Sequence, residues 1–177
     1  MEILQTGRQT CLRHPMPGDA AAFLEMVRQS LPLHHPWVHP PDSEDAFGRY
    51  VEHAASARFQ GFLICRSETG EIAGVANLSE IVRGVFQSAY LGFYASSLCA
   101  GRGLMKEGVS LVIRHAFEKL ELHRIEANVQ PENARSLALV QTLGFQKEGF
   151  SPRYLKIDGR WRDHERWALL VEDWRMD

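Results

Sequence analysis

The sequence predicts an α+β protein: one layered α/β/α domain with a mostly antiparallel sheet of about seven strands and helices on both faces. Three observations predict it. Glycine-bearing turns, Ser67-Glu68-Thr69-Gly70 and Asp158-Gly159, join pairs of apolar stretches into hairpins. A strand-like run from Ala89 passes through Gly101-Arg102-Gly103 into a long stretch with helical spacing. No repeat, low-complexity segment or linker interrupts the 177 residues, a length suited to a single domain with a sizeable core, spanning 1–177.

Taken in order, Thr10 to Arg13 is a short first strand. Asp19 is placed as the N-cap of a helix from Ala20 to Leu31, with Phe23, Met26 and Val27 on its apolar side. Pro32 to Pro41 reads as a loop carrying Trp37, which either plugs the loop's base or shapes a cleft wall. Ser43, Glu44 and Asp45 open a second helix running to about Arg58, the acidic pair favoured by the helix dipole. Gly61–Arg66 and Glu71–Leu78 form the first hairpin. Ala89 to Ala95 is the next strand. Met105, Val109, Val112, Ala116 and Leu120 then mark one face of a helix from Gly103 to about Leu120. Leu122 to Val129 is a strand, Asn133 an N-cap, Ala134 to Leu143 a short helix closed by Gly144, and Phe145–Ile157 with Arg160–Val171 the last hairpin.

Composition excludes several classes. A net charge of −2 and 24% charged residues argue against a dominant nucleic-acid or membrane-surface role. No apolar run reaches the ~18 residues of a membrane span. The first residues, Met-Glu-Ile-Leu-Gln, lack the pattern of a signal peptide, and Cys11, Cys65 and Cys99 suggest reduced thiols, so a cytoplasmic location is expected. The only His grouping, His34, His35 and His39, lies among prolines, and no metal is expected.

The glycine pair is the chemical landmark. A strand entering a helix through Gly-x-Gly leaves bare backbone N–H groups at a helix start, an arrangement suited to phosphate. It also serves as a plain tight connection. Lys106 stands where a dinucleotide fingerprint needs its third glycine, and the Gly-Lys-Ser/Thr of a P-loop is absent.

Gly101-Arg102-Gly103 opening a helix, a strand ending in Asn128, and Asn133-Ala134-Arg135-Ser136 leading to Leu143-Gly144-Phe145 together resemble the GNAT acyl-CoA N-acetyltransferases. Gly74-Val75-Ala76-Asn77, Val82-Arg83-Gly84, Tyr90-Leu91-Gly92, Lys147-Glu148-Gly149 and Trp161-Arg162-Asp163-His164 are similar to the ribosomal-protein-alanine branch, the RimJ/RimL type. The likeness runs from about Ile72 to Trp174, with Pro36-Trp37 as its landmark before that. It departs at Leu98, where the family often has Gln or Arg; Arg102 stands ready to supply the charge.

The resemblance implies a GNAT-like domain whose sheet splays at the cofactor, acetyl-CoA, with CoA as product. It implies that the strand at Phe93, Tyr94 and Ala95 pairs with the pantetheine arm, and that the amides of Gly101, Arg102, Gly103, Leu104 and Met105 take the pyrophosphate. Asn133 would bind the cofactor arm or simply cap its helix, and Ser136 would sit near the sulfur. A neutral amine would attack the thioester directly, with a backbone N–H near Tyr94 as oxyanion donor. Ser136 is the candidate acid, with a water or Tyr154 as substitute, and Glu80 is the candidate base, ahead of Glu126 and His164. Trp37, Arg83, Tyr154 and the His34-His35 loop are assigned to the acceptor cleft. The acceptor would be a protein N-terminus, by resemblance a ribosomal one. A small amine acceptor and a CoA-binding module without chemistry are the competing readings; no nucleic acid, membrane or oligomer is predicted.

Overall fold

The structure, a computed structural model, describes residues 2–174. Eight strands form one sheet: β1 (Gln5–Thr6), β2 (Thr10–Arg13), β3 (Gln60–Arg66), β4 (Ile72–Val82), β5 (Ser88–Ala95), β6 (Arg124–Val129), β7 (Gln146–Ile157) and β8 (Arg160–Leu170), in the order β1-β2-β3-β4-β5-β6-β8-β7. The strand beyond the expected seven is β1, two residues joined to β2 by a turn at Gly7 to Gln9, too short to show a periodicity. Every neighbouring pair is antiparallel except β5 and β6. Parallel neighbours need a crossover. Here it is the helix α4 (Leu104–Glu118).

The remaining helices are α1 (Ala20–Gln29), α2 (Leu31–His34), α3 (Glu44–His53) and α5 (Ala134–Thr142). β3 shows why the sheet is covered twice. Its Phe62 and Ile64 join the core beneath α4 and α5, while Leu63 and Cys65 join Phe23, Val27 and Phe47 beneath α1 and α3. Buried on both sides, the strand reads as a continuous apolar run without alternation. Gly108 breaks the apolar stripe of α4 for a packing reason: a Cβ there would stand 2.2 Å from Ile64 Cγ2.

Some boundaries differ from expectation. α1 stops at Gln29, and the first part of the proline-rich segment makes the single turn α2. α3 ends at His53, five residues before Arg58, and β4 continues to Val82. Asp19 does not cap α1 with its side chain. Its carboxylate is held by Arg13 at 2.7 Å and by the Met16 amide at 2.8 Å, which lowers its pKa against the opposing effect of burial. Ser43 and Asn133 do cap their helices, accepting from Ala46 N and Ser136 N.

Candidate active site

β5 and β6 begin as partners and then part. They pair only at Ser88↔Arg124, Ala89↔Ile125 and Tyr90↔Glu126, so Leu91 to Ala95 and Ala127 to Val129 border a gap. The direction of the free backbone groups follows from two bonds. Gln87 O accepts from the amides of His123 and Arg124 on the β6 side, and Ser96 N donates to Ala73 O on the β4 side. Successive residues of a strand aim their backbone groups to alternate sides. Phe93 and Ala95 therefore face the gap, and Tyr94 faces β4. The gap-facing backbone groups nearest Tyr94 are thus those of its neighbours. His34, unassigned among these roles by sequence, closes part of this edge: its Nε2–H donates to Ala95 O at 2.8 Å. Burial lowers the His34 pKa, so the ring is neutral, and Nδ1 has no partner.

Each strand of the pair leads into a helix whose N-terminus lies at the open end. After β5 the chain passes Gly101 (φ 76°) and Gly103 (φ 77°), a left-handed conformation that side chains oppose. A Cβ on either glycine would meet nothing within 4 Å, so the space before the loop is open. The amides of Gly101 to Lys106 have no acceptor among the described residues; the first to be taken up is that of Glu107, by Gly103 O at 3.1 Å. Six unpaired amides and the positive end of a helix dipole thus lie together beside open space, a composition that suits a diphosphate. Leu98 is 58% exposed and leaves this cradle untouched. The Met105 side chain turns away onto the sheet: a Cβ on Gly74 would lie 2.2 Å from its sulfur.

The loop is fixed from behind. Glu107 Oε2 accepts from Gln9 N at 3.0 Å and Thr10 Oγ1 at 2.9 Å, and Oε1 accepts from Arg8 N at 2.5 Å. Gly7 permits this, since a Cβ there would stand 2.8 Å from the Glu107 carboxyl carbon.

After β6, Asn133 Oδ1 accepts from Ser136 N at 3.2 Å, so the helix-capping role of Asn133 is the one its side chain performs here. Ser136 is half-buried in the first turn of α5, at the β6 side of the gap.

On the opposite face, the register of β6 with β8 sets Glu126 and Asn128 beside Ala168 and Arg166, with His164 two residues further along β8. The hydroxyls of Tyr90 and Tyr154 stand 3.5 Å apart, and this contact, with burial, pushes the Tyr90 pKa up to about 12. Tyr90 therefore remains a donor at neutral pH. Glu126 is held by Arg124 at 2.8 Å. His164 Nδ1–H donates to Arg162 O at 3.0 Å, leaving the lone pair on Nε2, and burial holds its pKa below 6.5.

A cavity of about 310 Å³ adjoins this face, lined by Pro36, Trp37, Gln130, Glu132, Trp161, Arg162 and Asp163. Trp37 is therefore a wall, and Gln130 Nε2 anchors it by donating to its carbonyl at 3.3 Å. Arg83 does not share this cleft. Its guanidinium donates to Leu120 O beyond the C-terminal end of α4. That helix is about 22 Å long at 1.5 Å per residue, so Arg83 sits a helix length from the Gly101–Gly103 loop. Glu80 is also away from the gap's lining: its side chain, 63% exposed, pairs with Arg58 at 3.0 Å. Sequence reasoning passed over Gln130, Glu132 and Trp161; their one signal was clustering beside Pro131 and in the last hairpin. Among the described residues no cluster of His, Cys, Asp or Glu could hold a metal ion, and no helix is long and apolar enough to cross a membrane.

Comparison with known proteins agrees with this geometry. Residues 9–146 match the acetyltransferase (GNAT) domain. Over 104 residues the chain is 48% identical to the [ribosomal protein uS5]-alanine N-acetyltransferase of Escherichia coli; that match covers 59% of this chain and 54% of the enzyme, about half its length. It is 23% identical to the spermidine N(1)-acetyltransferase of Vibrio cholerae over 92% of this chain and 93% of that one. The structure superposes on Mycobacterium smegmatis RimJ in complex with CoA-disulfide with a TM-score of 0.86 and 29% identity, covering 95% of this chain and 85% of that one. A diverging parallel pair, an open glycine loop and a domain match over most of the chain together place this protein in the GNAT acetyltransferase family.

Proposed function

We propose that this chain transfers an acetyl group from acetyl-CoA to the N-terminal α-amine of a protein, a ribosomal protein being the class its most similar relatives suggest. The observation that carries the transferase reading is the gap between β5 and β6, with open backbone groups along one side and two helix N-termini at its mouth. Acetyl-CoA supplies an acyl group on a thioester, with a thiolate as leaving group.

The chain's own residues divide the remaining work. Amides from Gly101 to Met105 hold the diphosphate, with Arg102 adding charge. The backbone of Phe93 and Ala95 aligns an extended arm as an added strand edge. A free N–H of the same two residues faces negative charge developing on the carbonyl oxygen. The Ser136 hydroxyl donates a proton to the departing sulfur, with Tyr154 as the alternative donor. His164, neutral with its Nε2 lone pair free, is suited to take the amine's proton. Glu80 can do so only if its pair with Arg58 opens.

Little basicity is required. An α-amine with a pKa of ~7.7–8.0 loses about 1 kcal/mol in becoming neutral at pH 7, whereas a lysine at ~10.4 loses more than 4. A small polyamine is the second reading, favoured by Glu132 in the cavity wall. The two are separated by thiol release from acetyl-CoA with Ala- and Ser-starting peptides against spermidine and amino sugars, the product mapped by mass spectrometry. Peptide α-amines are expected to be preferred. Turnover with small amines alone would overturn the peptide assignment, and no thiol release with any amine would overturn transfer itself.

A further inference from the structure

The acceptor cavity contains a charge arrangement that its walls do not resolve among themselves. Arg162 lies in it with two carboxylates, Glu132 and Asp163. Yet Arg162 forms no ion pair among the described residues, and its Nε is buried without a hydrogen-bond partner. Asp163 is already engaged, its Oδ1 accepting from Arg153 N at 2.7 Å. Alternation along β8 sets Arg162 on the same face as His164, while Trp161 and Asp163 take the other. A half-buried, cavity-lining guanidinium with no carboxylate paired to it is suited to an acceptor from outside.

We propose that Arg162 is a specificity-determining residue that selects acceptors carrying a carbonyl or carboxylate oxygen next to the reacting amine. This rests on the acetyl-transfer reading above and sharpens it. In an aminoacyl terminus the carbonyl is two bonds from the nitrogen, so a site receiving the amine receives an acceptor oxygen with it. The planar guanidinium fork suits that oxygen, and Glu132 faces the positive amine as it enters. A polyamine offers only N–H donors and further positive charge, which Arg162 repels.

The test compares the wild type with Arg162→Ala and Arg162→Gln, using an Ala-starting hexapeptide, alaninamide, free alanine and spermidine. With the peptide, kcat/KM is expected to fall ten- to a hundredfold in both variants, mainly through KM, while spermidine turnover is unchanged or rises. Acetyl-CoA affinity by calorimetry stays within twofold, which also shows that the variants fold. Alaninamide following the peptide assigns the contact to a carbonyl; free alanine alone following it assigns a carboxylate. An equal fall for peptide and spermidine, or no fall, would overturn the role of Arg162 and leave acetyl transfer standing. Wild-type enzyme that acetylates no aminoacyl acceptor would overturn both.

Discussion

The two sides of the β5/β6 gap are made from different materials. On the reading proposed above, the cofactor side is backbone: the amides of Gly101 to Met105, the strand edge at Phe93 and Ala95, and two glycines with left-handed φ values. Almost any side chain could stand at Leu98 without disturbing it, and an exposed leucine does. The acceptor side, on the same reading, is side chain. Its walls come from Trp37, from Gln130 and Glu132, and from Trp161 to Asp163, three stretches that meet only after folding. Backbone chemistry offers one grip for a ligand of one kind, whereas side chains from separate loops can change independently. On that reading, one scaffold could keep its donor while its acceptor varies.

Substitutions can break this contrast. The largest effect is expected for Gly103→Val, which forces a β-branched side chain into a left-handed φ, a strain of ~1–2 kcal/mol, and fills the open space before the amides. Acetyl-CoA affinity should drop at least a hundredfold by calorimetry; unchanged affinity would refute a backbone cradle. Ser136→Ala should lower single-turnover acetyl transfer by about 100-fold without weakening acetyl-CoA binding, the scale of a lost general acid. Equal rates would remove it from proton transfer.

The acceptor side should also titrate where the cradle does not. Burial keeps His164 neutral above its lowered pKa. Below the amine's pKa, log kcat/KM with a peptide should fall with slope one, steepening to two once His164 also takes a proton. His164→Gln should lower the rate and keep slope one throughout; a second break surviving in the variant would place the base elsewhere. The smallest effect belongs to Arg83→Ala. It removes a cation from the Leu120 carbonyl just past the C-terminal end of α4, worth ~1 kcal/mol, so the melting temperature should fall by about 2–4 °C while the acceptor KM holds. A severalfold rise in that KM would return Arg83 to the cleft.

The same contrast sets what the sequence revealed. Gly101, Gly103 and the caps Ser43 and Asn133 were readable because backbone requirements write themselves in residue types at fixed offsets. The sheet and its long helices were readable from periodicity, except where tertiary contacts override local signals. Asp19 looks like a cap, but Arg13, six residues earlier, claims its carboxylate. Arg83 looked like a cleft residue, but its target, Leu120 O, lies 37 positions away. Cavity walls assembled over such distances leave no local mark, so Trp37 could be suspected while Gln130 and Glu132 could not.

The tie between Glu107 and the turn at Gly7 to Gln9 carries a consequence for dynamics. The Glu107 carboxylate accepts from Arg8 N, Gln9 N and Thr10 Oγ1, which joins the first turn of α4 to the turn between β1 and β2 and to the first residue of β2. An anion stiffening the helix start would stiffen that margin too, so amide exchange at Arg8 and Gln9 should slow on coenzyme addition. The border of the sheet thereby becomes a reporter of occupancy at its centre.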